Sequence, residues 1–340
     1  MSEADPIDGA RLGDWLRANV AGFTGPFELS KFAAGQSNPT YLIAATSGDY
    51  VLRRKPFGEL LKSAHAVDRE YRLIAALHPT GFPVPRPYAS CDDPAVIGSI
   101  FYVMERVGGV SHGIGALPDS TPAERTAVYE GLVDTLADLH RIDPQEVGLG
   151  DFGRAGNYFE RQVTRWTRQY RDSQTDDLEA MEQLIEFLPR NLPDQARTAI
   201  VHGDYRIDNA LFDGGRLTAV LDWELATLGD PLADFSYLAM QWMMPARDMA
   251  TGLAGLDLDR LGIPSLQAIV ARYSARSGIA VAGKLDWYFA FNLFRLASIV
   301  QGIKKRVSDG TASNADAAEM AQKVPMLANT AWSFAQSAGA

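Results

Sequence analysis

The stretch VHGDYRIDN, residues 201–209, sets the reading of the whole chain. It follows an apolar run and carries His202, Asp204, Asp208 and Asn209 at close steps, more polar side chains than an ordinary strand or turn needs. Asp213-Gly214-Gly215-Arg216 then reads as a two-residue hairpin loop, with glycines where positive φ is required. If 213 pairs with 216, Asn209 faces residue 220 and residue 207 faces Asp222. Side chains alternate along a strand with period two, so Asn209 and Asp222 are expected on the same face, one pair apart. A β-bulge would break that register.

Two neighbouring oxygen donors, with Asp204 just upstream, suit a hard cation. Mg²⁺ takes few protein carboxylates and completes its shell with substrate phosphates and water. Asp204, left off the metal, is then free to orient a hydroxyl and accept its proton. This pattern points to Asn209 and Asp222 as metal ligands and Asp204 as base in a phosphoryl transfer. The plainer alternative is turn chemistry, with Asp204 and Asp208 capping turns and Asn209 making an Asx turn. His202 reads as a loop-fixing residue rather than a ligand. Asp230-Pro231 reads as a helix N-cap with proline at the first position. Asp234, one turn on, either favours the helix dipole or holds the 202–205 loop.

The rest of the chain is consistent with two lobes around one cleft. Its 340 residues are 46% hydrophobic and 22% charged, an ordinary folded balance. A formal charge of -10 argues against a nucleic-acid partner held by a basic surface. Cys91 is the only cysteine, which excludes an internal disulfide and a multi-cysteine zinc site and fits a reducing, cytoplasmic setting. The first ten residues lack the basic and apolar regions of a secretory signal. No apolar run reaches the roughly 18 residues of a membrane span.

Strand patterns fall at 27–35, 41–46, 50–55 and 99–107, with a turn at 47–49 and one interrupting helix over 63–77. HPTGFPVPRP (78–87) ends that helix. Beyond Gly108-Gly109 the pattern turns helical, starting with a capping box at Thr121-Pro122-Ala123-Glu124. Further helices are expected over 157–172, 177–189, 231–243, 265–277, 284–305 and 315–335. The expected architecture is therefore α+β: a small antiparallel-sheet N-lobe with one helix (1–108) and a larger helical C-lobe (109–340).

The N-lobe carries candidate nucleotide contacts. Val67, Tyr71, Ile74 and His78 share a helical face, and Glu70 falls on it, so it needs a cationic partner. In YVLRRK (50–55), Val51 and Arg53 share a strand face, matching an apolar roof over a purine and a cation over phosphates. Glu70 paired with Arg53 would orient that cation, and Lys55, of the same parity, is its rival. Ser37, in the turn AAGQSNP (33–39), is a phosphate-contact candidate. In FYVMERVGG (101–109), the backbone at Glu105 and Val107 is placed to bond a purine edge, and Met104 to wall the pocket.

Together these pieces resemble the aminoglycoside phosphotransferase-like family of small-molecule kinases. HGDYRIDN (202–209) matches its H-G-D-x₄-N loop, LDWE (221–224) its metal aspartate and DREY (68–71) its helix glutamate. VLRRKPFGELLKSAHAVDREY (51–71), ERQVTRWTRQY (160–170) and ATLGDPLADFSYL (226–238) look like the branch fused to acyl-CoA dehydrogenases in animals. The likeness implies a bilobal kinase-like fold, ATP or GTP with Mg²⁺, and γ-phosphoryl transfer to a small-molecule hydroxyl. It carries roles to Asp204, Asn209, Asp222, Glu70 and Ser37. The family's strand lysine stands here as Arg53, which is not a neutral exchange.

Two acceptor classes compete: cationic compounds such as aminoglycosides or choline, and hydroxyacyl chains, free or as coenzyme A thioesters. Arg161, Arg165, Arg168 and Arg171 recur at helical spacing, either as a solvated face or to meet phosphates. A nucleotide-binding pseudokinase and a histidine-dependent phosphoester hydrolase are the rivals from other classes. The intact Asp204, Asn209 and Asp222 set weighs against the first. The scatter of the other histidines weighs against the second.

Overall fold

The computed structural model describes residues 7–32, 38–57, 66–195, 197–281, 285–311 and 317–340. Helix α1 (Gly9–Asn19) is capped by Asp8, whose carboxylate accepts from the N–H groups of Ala10 and Arg11. Strands β1 (Phe27–Lys31), β2 (Thr40–Ala45) and β3 (Gly48–Arg54) follow, β2 and β3 pairing as the expected hairpin. Helix α2 (Val67–Leu77) precedes β4 (Pro87–Cys91) and β5 (Phe101–Glu105). The strands form an antiparallel sheet of order β1-β2-β3-β5-β4.

Both faces of this sheet are covered. Tyr50, Leu52, Phe101 and Val103 join Leu12 and Leu16 of α1 in one apolar cluster. Val51, Tyr102 and Met104 turn the other way, into the main core with Val67 and Ile74 of α2. The period-two alternation thus serves two apolar clusters rather than one core and solvent. On α2 the buried stripe is Val67, Glu70, Leu73, Ile74 and Leu77, whereas His78, expected on it, is exposed. Strand β4 was hidden by the prolines of 78–87. At the sheet edge Pro87 has no ladder N–H to forfeit, and the pairing shifts register between Pro87 and Ala89.

After Glu105 the chain is mainly helical. Helix α3 (Pro122–Arg141) starts at the capping box read from the sequence, with Thr121 and Glu124 bonded reciprocally. Helices α4 (Tyr158–Ser173) and α5 (Glu179–Arg190) lead to strand β6 (Ala199–Val201) and the hairpin β7 (Ala210–Asp213) and β8 (Arg216–Val220). Strand β9 (Thr227–Gly229) pairs with β6. Helices α6 (Leu232–Ala239), α7 (Leu258–Leu261), α8 (Leu266–Ser277), α9 (Asp286–Ser308), α10 (Ala317–Ala321) and α11 (Val324–Ser337) complete the fold. The single helix expected over 315–335 is two, because Pro325 in the first turn of α11 suits a new start and not a continuing ladder. The FAFNLF segment is wholly buried in α9, which packs against α4, α6 and α11. Among the described residues no helix is long and apolar enough to cross a membrane.

The 210–220 hairpin corrects the expected register. Gly214 and Gly215 do take positive φ, 54° and 86°. Asp213 pairs with Arg216 and Phe212 with Leu217, but Leu211 then pairs with Ala219, so Thr218 is an extra residue in β8. Its hydroxyl is satisfied by the carbonyls of Gly108 and Leu211, at 3.0 and 3.2 Å. Ala210 rather than Asn209 therefore lies opposite Val220. The Asn209 carbonyl accepts from the Leu221 N–H at 2.8 Å, and Asp222 leaves the ladder in the left-handed region, φ 65°.

Candidate active site

The loop after β6 is fixed from below by long-range bonds. The Asp234 carboxylate, in the first turn of α6, accepts from the N–H groups of His202 and Gly203 at 2.6 and 2.8 Å. Of its two sequence readings, the loop-holding one is the geometry found. The Asp230 carboxylate accepts from the Leu232 N–H at 2.8 Å, but the N-cap of α6 is Pro231 rather than the expected Asp230, one residue later. His202 is fully buried; its Nε2 lies 2.9 Å from the Leu221 carbonyl, and its Nδ1 accepts from the Asp204 N–H at 3.2 Å. The ring thus ties the loop to the strand end beside Asp222. Gly203 has φ 85°, and a Cβ there would stand 2.7 Å from the Leu225 carbonyl, so only glycine fits. Tyr205, buried beneath the loop, donates to the Leu132 carbonyl at 2.8 Å.

Asp204 emerges from this frame with defined partners. The Asn209 amide donates to its carboxylate and to its carbonyl, both at 2.9 Å. This leaves the Asn209 amide oxygen uncommitted by those two bonds. Arg206 lies 3.4 Å from Asp204 and 3.2 Å from Asp208. The Tyr237 hydroxyl faces Asp204, and burial together with that carboxylate raises its pKa.

A cavity of about 730 Å³ opens beside this loop. Val51, Arg53 and Glu70 line it from the sheet side, with Met104, Glu105 and Val107; Asn209 and Asp222 line it from below. Val51 and Met104 are cross-strand partners. Arg53 lies 2.9 Å from Glu70 and 2.6 Å from Asp222 as ion pairs, with Glu224 3.5 Å away. Burial pushes the Glu70 carboxyl up to about 7 against the pull of Arg53. Burial acts to lower the Arg53 pKa, but Glu70, Tyr102 and Asp222 outweigh it, and the guanidinium stays charged. Lys55 lies beyond the end of β3 and is not among the lining residues. The Glu105 N–H is taken by the Arg86 carbonyl at 2.8 Å, so it is not free to bond a purine edge. Ser37 lies outside the described residues.

The donor set fits a magnesium ion that is shared with phosphates. Asn209 and Asp222, whose side chains carry hard oxygens, both line the cavity. Among the described residues no three His, Cys, Asp or Glu side chains gather to hold a metal by themselves.

Several site residues escaped the sequence reading. Glu224 reaches Arg53 and accepts from the Asn38 amide at 3.4 Å. Arg295 of α9 donates to the Gly203 carbonyl at 2.5 Å. A lone arginine at the end of FAFNLF was the available signal, since a cation on a buried face demands an acceptor.

Beneath the loop, His140 is buried with Nδ1 2.7 Å from the Tyr273 hydroxyl and Nε2 3.6 Å from Asp234. Burial lowers its pKa below the ordinary 6.5, against the pull of Asp234. The unfolded chain takes up a proton there as pH falls through 6.5, and the folded chain does not. Its contribution to stability is therefore present above 6.5 and lost as pH falls. Thermal melting between about pH 7.5 and 5.5 is expected to show this loss, and His140→Gln to flatten it. Parallel pH slopes in both proteins would contradict it.

A model of the phosphotransferase enzyme family matches residues 28–266. The chain belongs to that family. It is a phosphotransferase with a kinase-like fold, similar to acyl-CoA dehydrogenase family member 10 of Mus musculus at 42% identity over 319 residues. That match covers 93% of this chain and 30% of the relative, so the chain spans under a third of that protein's length. A solved putative aminoglycoside phosphotransferase from Ralstonia eutropha JMP134 superposes with a TM-score of 0.90 at 43% identity, covering 98% of this chain and 99% of that one. A mutant aminoglycoside phosphotransferase APH(4)-Ia, in ternary complex with ADP and hygromycin B, shares the fold with a TM-score of 0.62 at 15% identity, covering 98% and 99%.

Proposed function

We propose that the chain is a small-molecule kinase that transfers the γ-phosphoryl of ATP to a substrate hydroxyl. One observation carries this reading: the Asn209 amide holds the Asp204 carboxylate while Asn209 and Asp222 line the nucleotide-sized cavity. Asp204 orients the hydroxyl and accepts its proton as the oxygen attacks phosphorus. Asn209 and Asp222 would hold Mg²⁺, which when bound offsets phosphate charge. Arg53, aligned by Glu70, meets the phosphates. Val51 and Met104 enclose the purine, with the Glu105 carbonyl and Val107 backbone at its edge. The division at residues 108 and 109 lets the sheet lobe move against the helical lobe.

The acceptor in this proposal is a hydroxyacyl chain, free or as its coenzyme A thioester. The likeness to an acyl-CoA dehydrogenase family member supports it. The test is a screen of hydroxyl compounds with Mg·ATP, read by mass spectrometry for a phosphate-sized gain. Hydroxyacyl thioesters are expected to be phosphorylated and aminoglycosides not. The reverse result would move the acceptor to the cationic class, and phosphate gain by neither would end the kinase reading.

The nucleotide side has its own expected result. Arg53→Ala should raise KM for ATP about tenfold, and Arg53→Lys should restore only part, because lysine cannot bond two oxygens in a fixed fork. A KM unchanged in both variants would shift the phosphate role to Lys55.

A further inference from the structure

A separate cavity of about 660 Å³ opens at the start of α4, away from the nucleotide cleft. Arg154, Arg161, Arg165 and Arg168 line it, with Glu160 as the one acid. Four guanidinium groups share this hollow in a chain of formal charge -10. Arg171, which the spacing had grouped with them, is turned away and paired with Glu182.

The four arginines divide by role. Arg161 donates to the carbonyls of Gly156 and Arg154, which fixes the loop carrying Arg154. Arg154, Arg165 and Arg168 make no ion pair with a carboxylate among the described residues. Arg165 lies over the Trp166 ring at 5.0 Å, and burial together with nearby Arg295 lowers its pKa. Arg165 and Arg295 repel one another, and an anion bound at Arg165 relieves that repulsion. Three guanidinium forks in one hollow match several phosphate oxygens better than one carboxylate.

Through Arg295 the hollow is also linked to the 202–209 loop. Arg295, near enough to Arg165 to repel it, donates to the Gly203 carbonyl. The same guanidinium lies 5.6 Å from the Trp166 ring and 5.3 Å from the Tyr237 ring, whose hydroxyl faces Asp204. Arg295 and Tyr237 therefore stand between Arg165 and the proposed base.

We infer that this hollow binds phosphate groups carried by the acceptor, with Arg154, Arg165 and Arg168 as ligands and Arg161 as a positioning residue. The word acceptor rests on the kinase reading; the anion site does not. The test is calorimetry on the full chain with the nucleotide cleft filled by Mg·AMP-PNP. Coenzyme A, pantetheine and inorganic phosphate are the titrants, none bearing a hydroxyacyl group on a thiol. Coenzyme A should bind and pantetheine should not. The Arg165→Glu/Arg168→Glu double variant should weaken coenzyme A binding about tenfold or more. Arg190→Glu, an exposed charge reversal on α5, should leave it unchanged.

Equal coenzyme A affinity in the double variant and the native chain would overturn the inference. Binding of inorganic phosphate without coenzyme A would overturn the assignment to the acceptor. If coenzyme A binds as expected while no compound is phosphorylated, the kinase reading fails and the anion site stands.

Discussion

Asp204→Asn is expected to slow turnover about a thousandfold while leaving affinity for Mg·AMP-PNP close to that of the native chain. The substitution keeps the size of the side chain and an oxygen for the Asn209 amide, which donates at 2.9 Å. It removes the basic oxygen that would take the hydroxyl proton. The loop should hold, since its anchors are Asp234, Arg295 and the His202 ring rather than Asp204 itself. Initial rates with a compound found in the acceptor screen, beside nucleotide binding by calorimetry, give both quantities. A variant that turns over at the native rate would remove Asp204 from the proton transfer. One that also loses nucleotide would make its role structural.

Asp222→Ala should have an effect at least as large, about a thousandfold or more on turnover with Mg·ATP, because it deletes a charged metal ligand. It should also abolish the magnesium dependence of AMP-PNP binding, which Asp204→Asn should leave intact. Asp222 now has one carboxylate oxygen 2.6 Å from Arg53, so a cation on that oxygen and the guanidinium compete for it. In the native chain Mg·AMP-PNP should raise the melting temperature, and in Asp222→Ala that gain should be absent. An equal magnesium-dependent shift in both proteins would place the metal elsewhere.

How much of this was legible varied with range. The α3 capping box and the Asp213–Arg216 turn are set within a few residues, and both were read correctly from the chain. Glu70 was flagged by being a carboxylate on an apolar stripe, and its partner is indeed Arg53. The bulge at Thr218 was not legible, because its hydroxyl is satisfied by Gly108, 110 residues away in sequence. Nor was β4 legible, since an edge position is a property of the assembled sheet. Arg295 carried only a faint signal, and its acceptor lies 92 residues earlier.

Sequence alone determined the α3 capping box, the Asp213–Arg216 turn and the β2–β3 hairpin, because caps and turns are governed by neighbours in the chain, and its motifs carried the family resemblance. Tertiary structure alone decided how Asn209 and Asp222 come to line one cavity. The expected ladder register does not bring them there; a bulge and a left-handed Asp222 do. It also decided that three arginines of one helix share a hollow with Arg154 while the fourth is drawn off to Glu182. Such outcomes depend on which groups meet across the folded chain, where burial compels every charge to find a partner or a ligand.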